Sequence, residues 1–217
     1  MGLTIDRMDP KETALLVVDM QNDFVAKGAP LETPMGQEML PTLKKVLDFS
    51  REEGISVIYT AHVHRKDGSD LGLYGEIYPP ILEGACLIDG EKGSEIYPEV
   101  TPRDGEPVIK KRRYSAFFGT DLDIILRTKG VKNLVIAGLT TEDCCFAAAR
   151  DAMYRGYKVA FLSDATGTYD YADIGFGKVP AEEVHRVMLT VLGGSTAHVM
   201  TAEDYMSKVN TDHTEKV

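Results

Sequence analysis

The sequence predicts an α/β fold: a three-layer α/β/α domain, doubly wound about a mainly parallel sheet of about six strands. Two observations predict it. Short β-rich apolar runs alternate along the chain with longer segments of helical period. Several of those segments also close on a glycine, the residue that suits the left-handed position just past a helix. Such alternation is satisfied by a parallel sheet with helices on both faces.

The elements follow in order. "ALLVVDM" (14–20) reads as the first strand and 37–54 as an amphipathic helix that returns the chain to a second strand, "SVIYTAH" (56–62). "PVIKK" (107–111) is the third strand, followed by a helix over 120–130. "NLVIAG" (133–138) leads into a helix over 141–156, then "KVAFLSDA" (158–165), a helix over 181–193 and "AHVMTA" (197–202). The stretch 65–107, rich in Gly, Pro and acids, is longer than an ordinary connection and reads as a functional loop or a contact surface.

No repeat or interdomain linker interrupts the chain, so residues 1–217 are expected to form one domain, with 43% hydrophobic and 27% charged residues. A formal net charge of −10 argues against a nucleic-acid partner and against a polybasic membrane contact. The N-terminal segment lacks the pattern of a secretory leader, and a cytoplasmic protein is expected. Three cysteines, Cys86, Cys144 and Cys145, cannot all pair with one another and are expected as free thiols.

In a doubly wound sheet, ligands bind outside the carboxyl ends of the strands. Asp19 closes the first strand, Lys110 and Lys111 close the third, and the twin cysteines of "GLTTEDCC" open a helix after the fourth. A carboxylate, an ammonium and a thiol thus converge on one edge. Each has a plainer reading: Asp19 as a turn cap, the lysines as part of the charged run "KKRR", the cysteines as buried small residues. Strand alternation sends Lys110 and Lys111 to opposite faces, and alternation alone does not say which one points inward. Cys145 lies on the helical stripe of Ala148, Ala149 and Ala152 and is expected to pack. Cys144 falls off that stripe, near the helix N-terminus if Thr141 is the cap, where a thiolate is favoured. His62 and His64 share one face of the second strand. With no convincing third ligand nearby, they read as pocket-lining residues, and neither a metal nor another cofactor is expected.

Taken together and in this order, "ALLVVDMQNDF", "HVHRKDGSDLG", "KKRRYSAFFGTDLDIILRTKGVKNLVIAGLTTEDCCFAAARDAMYRGYKV" and "SDATGTY" resemble the isochorismatase-like cysteine hydrolases, a superfamily that holds nicotinamidase, N-carbamoylsarcosine amidohydrolase and ureidoacrylate amidohydrolase. The resemblance implies a catalytic triad of Asp19, Lys111 and Cys144, selecting Lys111 over Lys110 and Cys144 over Cys145. It also implies a cis peptide at Leu139–Thr140 and an oxyanion hole from the backbone N–H groups of Thr140 and Cys144. His62-Val63-His64 stands where nicotinamidases carry a metal-binding Asp-x-His pair. Isochorismatases proper lack the cysteine nucleophile.

The expected activity is therefore hydrolysis of a C–N bond in a small ureido, N-carbamoyl or primary-amide substrate, through a thioester and with ammonia release. Phe24, His62, His64, Tyr114, Phe117 and Thr141 are expected to contact the substrate, with 163–177 as a mobile wall. Relatives imply a homodimer or homotetramer. Three other readings are a vinyl-ether hydrolase, a thiol redox sensor and a catalytically silent binding or scaffold member of the same fold.

Overall fold

The computed structural model describes residues 2–209. Six strands form its sheet: β1 (Thr13–Val18), β2 (Ser56–His62), β3 (Val108–Lys111), β4 (Asn133–Leu139), β5 (Lys158–Gly167) and β6 (His198–Met200). Every pairing is parallel, in the order β3-β2-β1-β4-β5-β6. In this doubly wound order the winding direction reverses between β1 and β4, so a crevice opens at their carboxyl ends.

The two faces follow from the period-two alternation of side chains. Leu15 and Val17 of β1, Val57 and Tyr59 of β2 and Val135 of β4 join one core cluster; Leu16, Val18, Ile58, Leu134 and Ile136 join the other. The longer helices are α1 (Leu40–Glu52), α2 (Leu122–Thr128), α3 (Phe146–Tyr154), α4 (Ala181–Ser195) and α5 (Ala202–Lys208). Helices α1 and α5 cover the first face through Leu43, Val46, Leu47 and Tyr205. Helices α2, α3 and α4 cover the second through Leu126, Ala148, Ala149, Ala152 and Leu192, completing three layers. No helix among the described residues is long and apolar enough to cross a membrane.

Several boundaries differ from the sequence expectation for local reasons. β1 ends at Val18 because Asp19 adopts φ 49, a left-handed conformation that cannot continue a strand. α1 begins at Leu40, after a separate turn at Pro34–Glu38, with a proline in its first turn, where a missing N–H costs nothing. The helix expected from Thr141 opens instead as a π-helical turn, Thr141–Cys145, in which the Cys145 N–H donates to the Thr140 carbonyl over 3.0 Å. Thr140 is its N-cap, not Thr141.

Two features close the crevice. Gly138 has φ 119, and a Cβ there would stand 2.1 Å from the Val18 carbonyl oxygen, so a glycine is what lets β4 approach the end of β1. The long 65–107 stretch folds back over the carboxyl ends and builds its own small core from Tyr74, Ile81, Cys86 and Leu87. It is tied down by the Asp23 carboxylate, which accepts the Leu87 N–H over 2.6 Å, and by the Tyr97 N–H donating to the Met20 carbonyl over 2.7 Å.

Candidate active site

Asp19 sits directly beyond β1 and is fully buried. The Thr60 hydroxyl on β2 accepts the Asp19 N–H over 3.2 Å and donates to its Oδ1 over 2.6 Å, so one side chain fixes both the turn and the carboxylate. The other carboxylate oxygen, Oδ2, lies 2.7 Å from Lys111 Nζ. Lys111 closes β3 on the same face as Ile109, whereas Lys110 points away and pairs with Asp89 over 2.7 Å. The Lys111 ammonium also donates to the Arg113 carbonyl and to Cys144 Sγ, each over 3.1 Å. Its three N–H groups are thereby directed at a carboxylate, a carbonyl and a thiol.

Burial opposes the charge of Lys111, yet Asp19 and the Cys144 sulfur outweigh it and raise the ammonium pKa. Burial pushes the Cys144 thiol well above its ordinary value; Lys111 opposes that rise and Asp19 adds to it. Cys144 thus stands between a carboxylate and an ammonium, with burial and Asp19 favouring its protonated form and Lys111 its thiolate. Cys145, also fully buried, packs with Ala148 and Ala149. Cys86 belongs to a different cluster, and burial pushes its thiol up to about 12.

Cys144 opens onto a cavity of about 290 Å³. Phe24, His62 and Tyr114 line it, as does the Thr140 of the cis Leu139–Thr140 peptide. Burial, then Lys111 and His64, holds His62 well below its ordinary pKa, so its ring is neutral. Three other expected contact residues lie elsewhere. His64, whose backbone is bridged to Ile88 outside β2, pairs with Asp70 over 3.3 Å. Phe117 stacks on Tyr157 at 6.1 Å, within the core beneath α3. The Thr141 hydroxyl pairs with His185 Nδ1 over 2.8 Å, and His185 Nε2 with the Ser163 carbonyl over 2.8 Å, which turns Thr141 from the cavity.

The sequence reading missed Thr60, Asp143 and the tyrosines Tyr74 and Tyr78 as site residues. Thr60 carried a signal, a polar residue inside an apolar strand. Gln21 was missed as well: it clamps β1 to β2, accepting the His62 N–H over 2.8 Å and donating to the His62 carbonyl over 3.0 Å.

Asp19, His62 and Cys144 each offer a ligand atom within 4.8 Å of one another. They do not fit a metal, because the Lys111 ammonium already lies 2.7 Å from Asp19 and 3.1 Å from Cys144, where a divalent ion would meet its charge.

An isochorismatase-domain sequence profile matches residues 13–204. A cysteine hydrolase from Pseudomonas syringae pv. phaseolicola superposes with a TM-score of 0.91 at 33% identity, covering 96% of this chain and 98% of that one. Ureidoacrylate amidohydrolase RutB from Rhizobium rhizogenes is 34% identical over 176 residues, 73% of this chain and 72% of its own. A protein of Arabidopsis thaliana described as a probable inactive nicotinamidase is 36% identical over 166 residues, 72% of this chain and 81% of its own.

Proposed function

The chain belongs to the isochorismatase family of hydrolases, and from that premise we propose that it is a cysteine-dependent amidohydrolase acting on a small ureido, N-carbamoyl or primary-amide substrate. The observation that carries this reading is the placement of Lys111 Nζ, 2.7 Å from Asp19 and 3.1 Å from Cys144. An ether hydrolase has no use for a thiol so placed.

When the substrate carbonyl enters, Asp19 takes the Cys144 proton and Lys111 stabilises the sulfur as it gains charge. The sulfur bonds to the carbonyl carbon, and the oxygen, now anionic, is held by the backbone N–H groups of Thr140 and Cys144. The C–N bond breaks as Asp19 returns the proton to the nitrogen, releasing ammonia and leaving a thioester. Asp19 then takes a proton from water, the hydroxide displaces the thiol, and the acid product leaves. A ureido substrate yields a carbamate, which decomposes to the amine and carbon dioxide. The similarity to RutB supports the ureido class; the relative described as a probable inactive nicotinamidase makes turnover itself the quantity to test.

The test is ammonia release over a panel of ureas, N-carbamoyl amines and primary amides. Cys144→Ser is expected to abolish it, and Cys145→Ala to keep kcat within about twofold with a packing loss of about 1 kcal/mol. Full turnover by Cys144→Ser overturns the mechanism.

The protein is also proposed to be a homodimer or homotetramer. This is supported by exposed apolar side chains at Ile174, Phe176, Val187 and Val191, and by α4, which fully buries Leu192 alone among its side chains. Light scattering during gel filtration distinguishes these from a monomer.

A further inference from the structure

The amidohydrolase reading accounts for the carbonyl end of a substrate. The rest of the cavity carries a second message. Its described lining includes two acids, Asp143 and Glu32, and no lysine or arginine. Lys111 is buried away from that lining and engaged by Asp19 over 2.7 Å. Asp143 immediately precedes the nucleophile and is surrounded by aromatic groups. The Tyr78 hydroxyl lies 3.5 Å from its Oδ2 and 2.9 Å from the Tyr114 hydroxyl. Tyr169 also lines the cavity and stacks on Tyr171 at 4.9 Å. Tyr171 in turn donates to Glu142 over 2.9 Å, so a further carboxylate stands behind the rings.

A site that binds a carboxylate needs a cation or a group of N–H donors to replace the water it loses. This cavity offers carboxylates and tyrosine rings, both of which attract a positively charged nitrogen. Among the described residues no lysine or arginine pairs with Asp143, and burial and Glu142 work against its charge more than the Tyr78 hydroxyl and Lys111 favour it. A bound cation supplies what is missing.

We infer that the pocket selects substrates whose polar group beyond the scissile carbonyl is a cationic nitrogen, held by Asp143 and ringed by Tyr78, Tyr114 and Tyr169, and that it discriminates against ureido acids. The inference rests on the amidohydrolase reading for the position of the carbonyl. It goes beyond that reading in naming the charge at the other end.

Three ureas of equal length separate the alternatives: N-(2-aminoethyl)urea, N-propylurea and N-carbamoyl-β-alanine, ending in ammonium, methyl and carboxylate. Their affinities for the Cys144→Ala protein are measured by calorimetry, and ammonia release from each is measured with the unmodified enzyme. Aminoethylurea is expected to bind about tenfold or more tighter than carbamoyl-β-alanine, with propylurea between. In Cys144→Ala/Asp143→Asn the ratio is expected to fall to within about threefold. Should that double variant fail to fold, the order of the three ligands on Cys144→Ala decides by itself. The expected order of binding without ammonia release from these ureas or from the wider panel of N-carbamoyl amines and primary amides upholds the inference and defeats the amidohydrolase reading. Ammonia release with equal binding, or with the carboxylate preferred, does the reverse. Absence of saturable binding by aminoethylurea overturns the inference.

Discussion

The ammonium of Lys111 donates to the sulfur of Cys144 over 3.1 Å while Asp19 holds it from the other side at 2.7 Å. All three groups are buried. Lys111→Ala leaves the Asp19 charge unpaired, which costs about 3–5 kcal/mol for a buried pair broken on one side. In the proposed mechanism it also removes the cation that steadies the thiolate, for an expected loss of about a thousandfold in kcat. Lys110→Ala breaks only the exposed pair with Asp89 and should change stability by less than about 1 kcal/mol. Denaturant titration and initial rates on both variants check this, and a dead Lys110→Ala beside an active Lys111→Ala overturns the assignment.

In the proposed mechanism Thr60 is a positioning residue, since it acts through its two hydrogen bonds to Asp19. Thr60→Val keeps the shape and deletes the hydroxyl that both accepts from the Asp19 N–H and donates to its Oδ1. The expected cost is about 1–3 kcal/mol of stability, from two buried polar groups left unpaired. A kcat loss of about tenfold to a hundredfold is expected with KM little changed, because the carboxylate is no longer held in one orientation. Thr60→Ser is expected to recover most of both. If Ser is no better than Val, the hydroxyl is not what Thr60 contributes.

These two residues mark how far the sequence could be read. Asp19 and Lys111 were legible because each ends an apolar strand, and strand ends in a parallel sheet converge wherever the chain runs between them. Strand alternation leaves Lys110 and Lys111 open and the family resemblance selects Lys111; the physical reason is the face, since Ile109 and Lys111 are the buried positions of β3. The helical stripe separated Cys145 from Cys144, although the turn that carries Cys144 is a π-turn capped by Thr140. The cavity wall was hidden for a different reason. Tyr74, Tyr78 and Leu87 come from 65–107, a stretch with no period, and its path is fixed by contacts such as Asp23 to the Leu87 N–H that join residues far apart in sequence. Phe117 was misplaced because the sequence shows that it follows β3 but not that the chain then turns its ring onto Tyr157.

Asp143 gives a pH test of the cavity's polarity. Burial first, then Glu142, raises its carboxyl from 3.8 to about 6, against the opposing effects of the Tyr78 hydroxyl and Lys111. The native state thus holds this proton more tightly than the unfolded chain does. Its contribution to stability is fully present below about pH 4 and is lost as the pH rises through about 6. Asp143→Asn removes the buried charge and should exceed the parent by the order of 2 kcal/mol at pH 8, the gap narrowing towards pH 4. Urea titrations at several pH values measure it. A gap that is absent at pH 8, or that widens in acid, contradicts the burial of this carboxyl.

Gly138 links the fold to the chemistry. Its Cβ-free backbone lets β4 approach Val18, the residue before Asp19, and β4 leads directly to Thr140 and Cys144. An alanine there combines two costs: φ 119, which L-residues rarely adopt, and a Cβ 2.1 Å from a backbone oxygen with no flexible side chain to yield. Gly130 separates the two. It has φ 68, and a Cβ added there would meet nothing within 4 Å, so Gly130→Ala is expected to cost only about 1–2 kcal/mol and to leave kcat unchanged. Gly138→Ala is expected to cost about 3 kcal/mol or more and to lower kcat sharply, because relief of the clash must part β1 from β4 and carry Asp19 away from Cys144. Equal stability and equal turnover in the two variants would mean that the close approach of these strands does not set the distance between base and nucleophile.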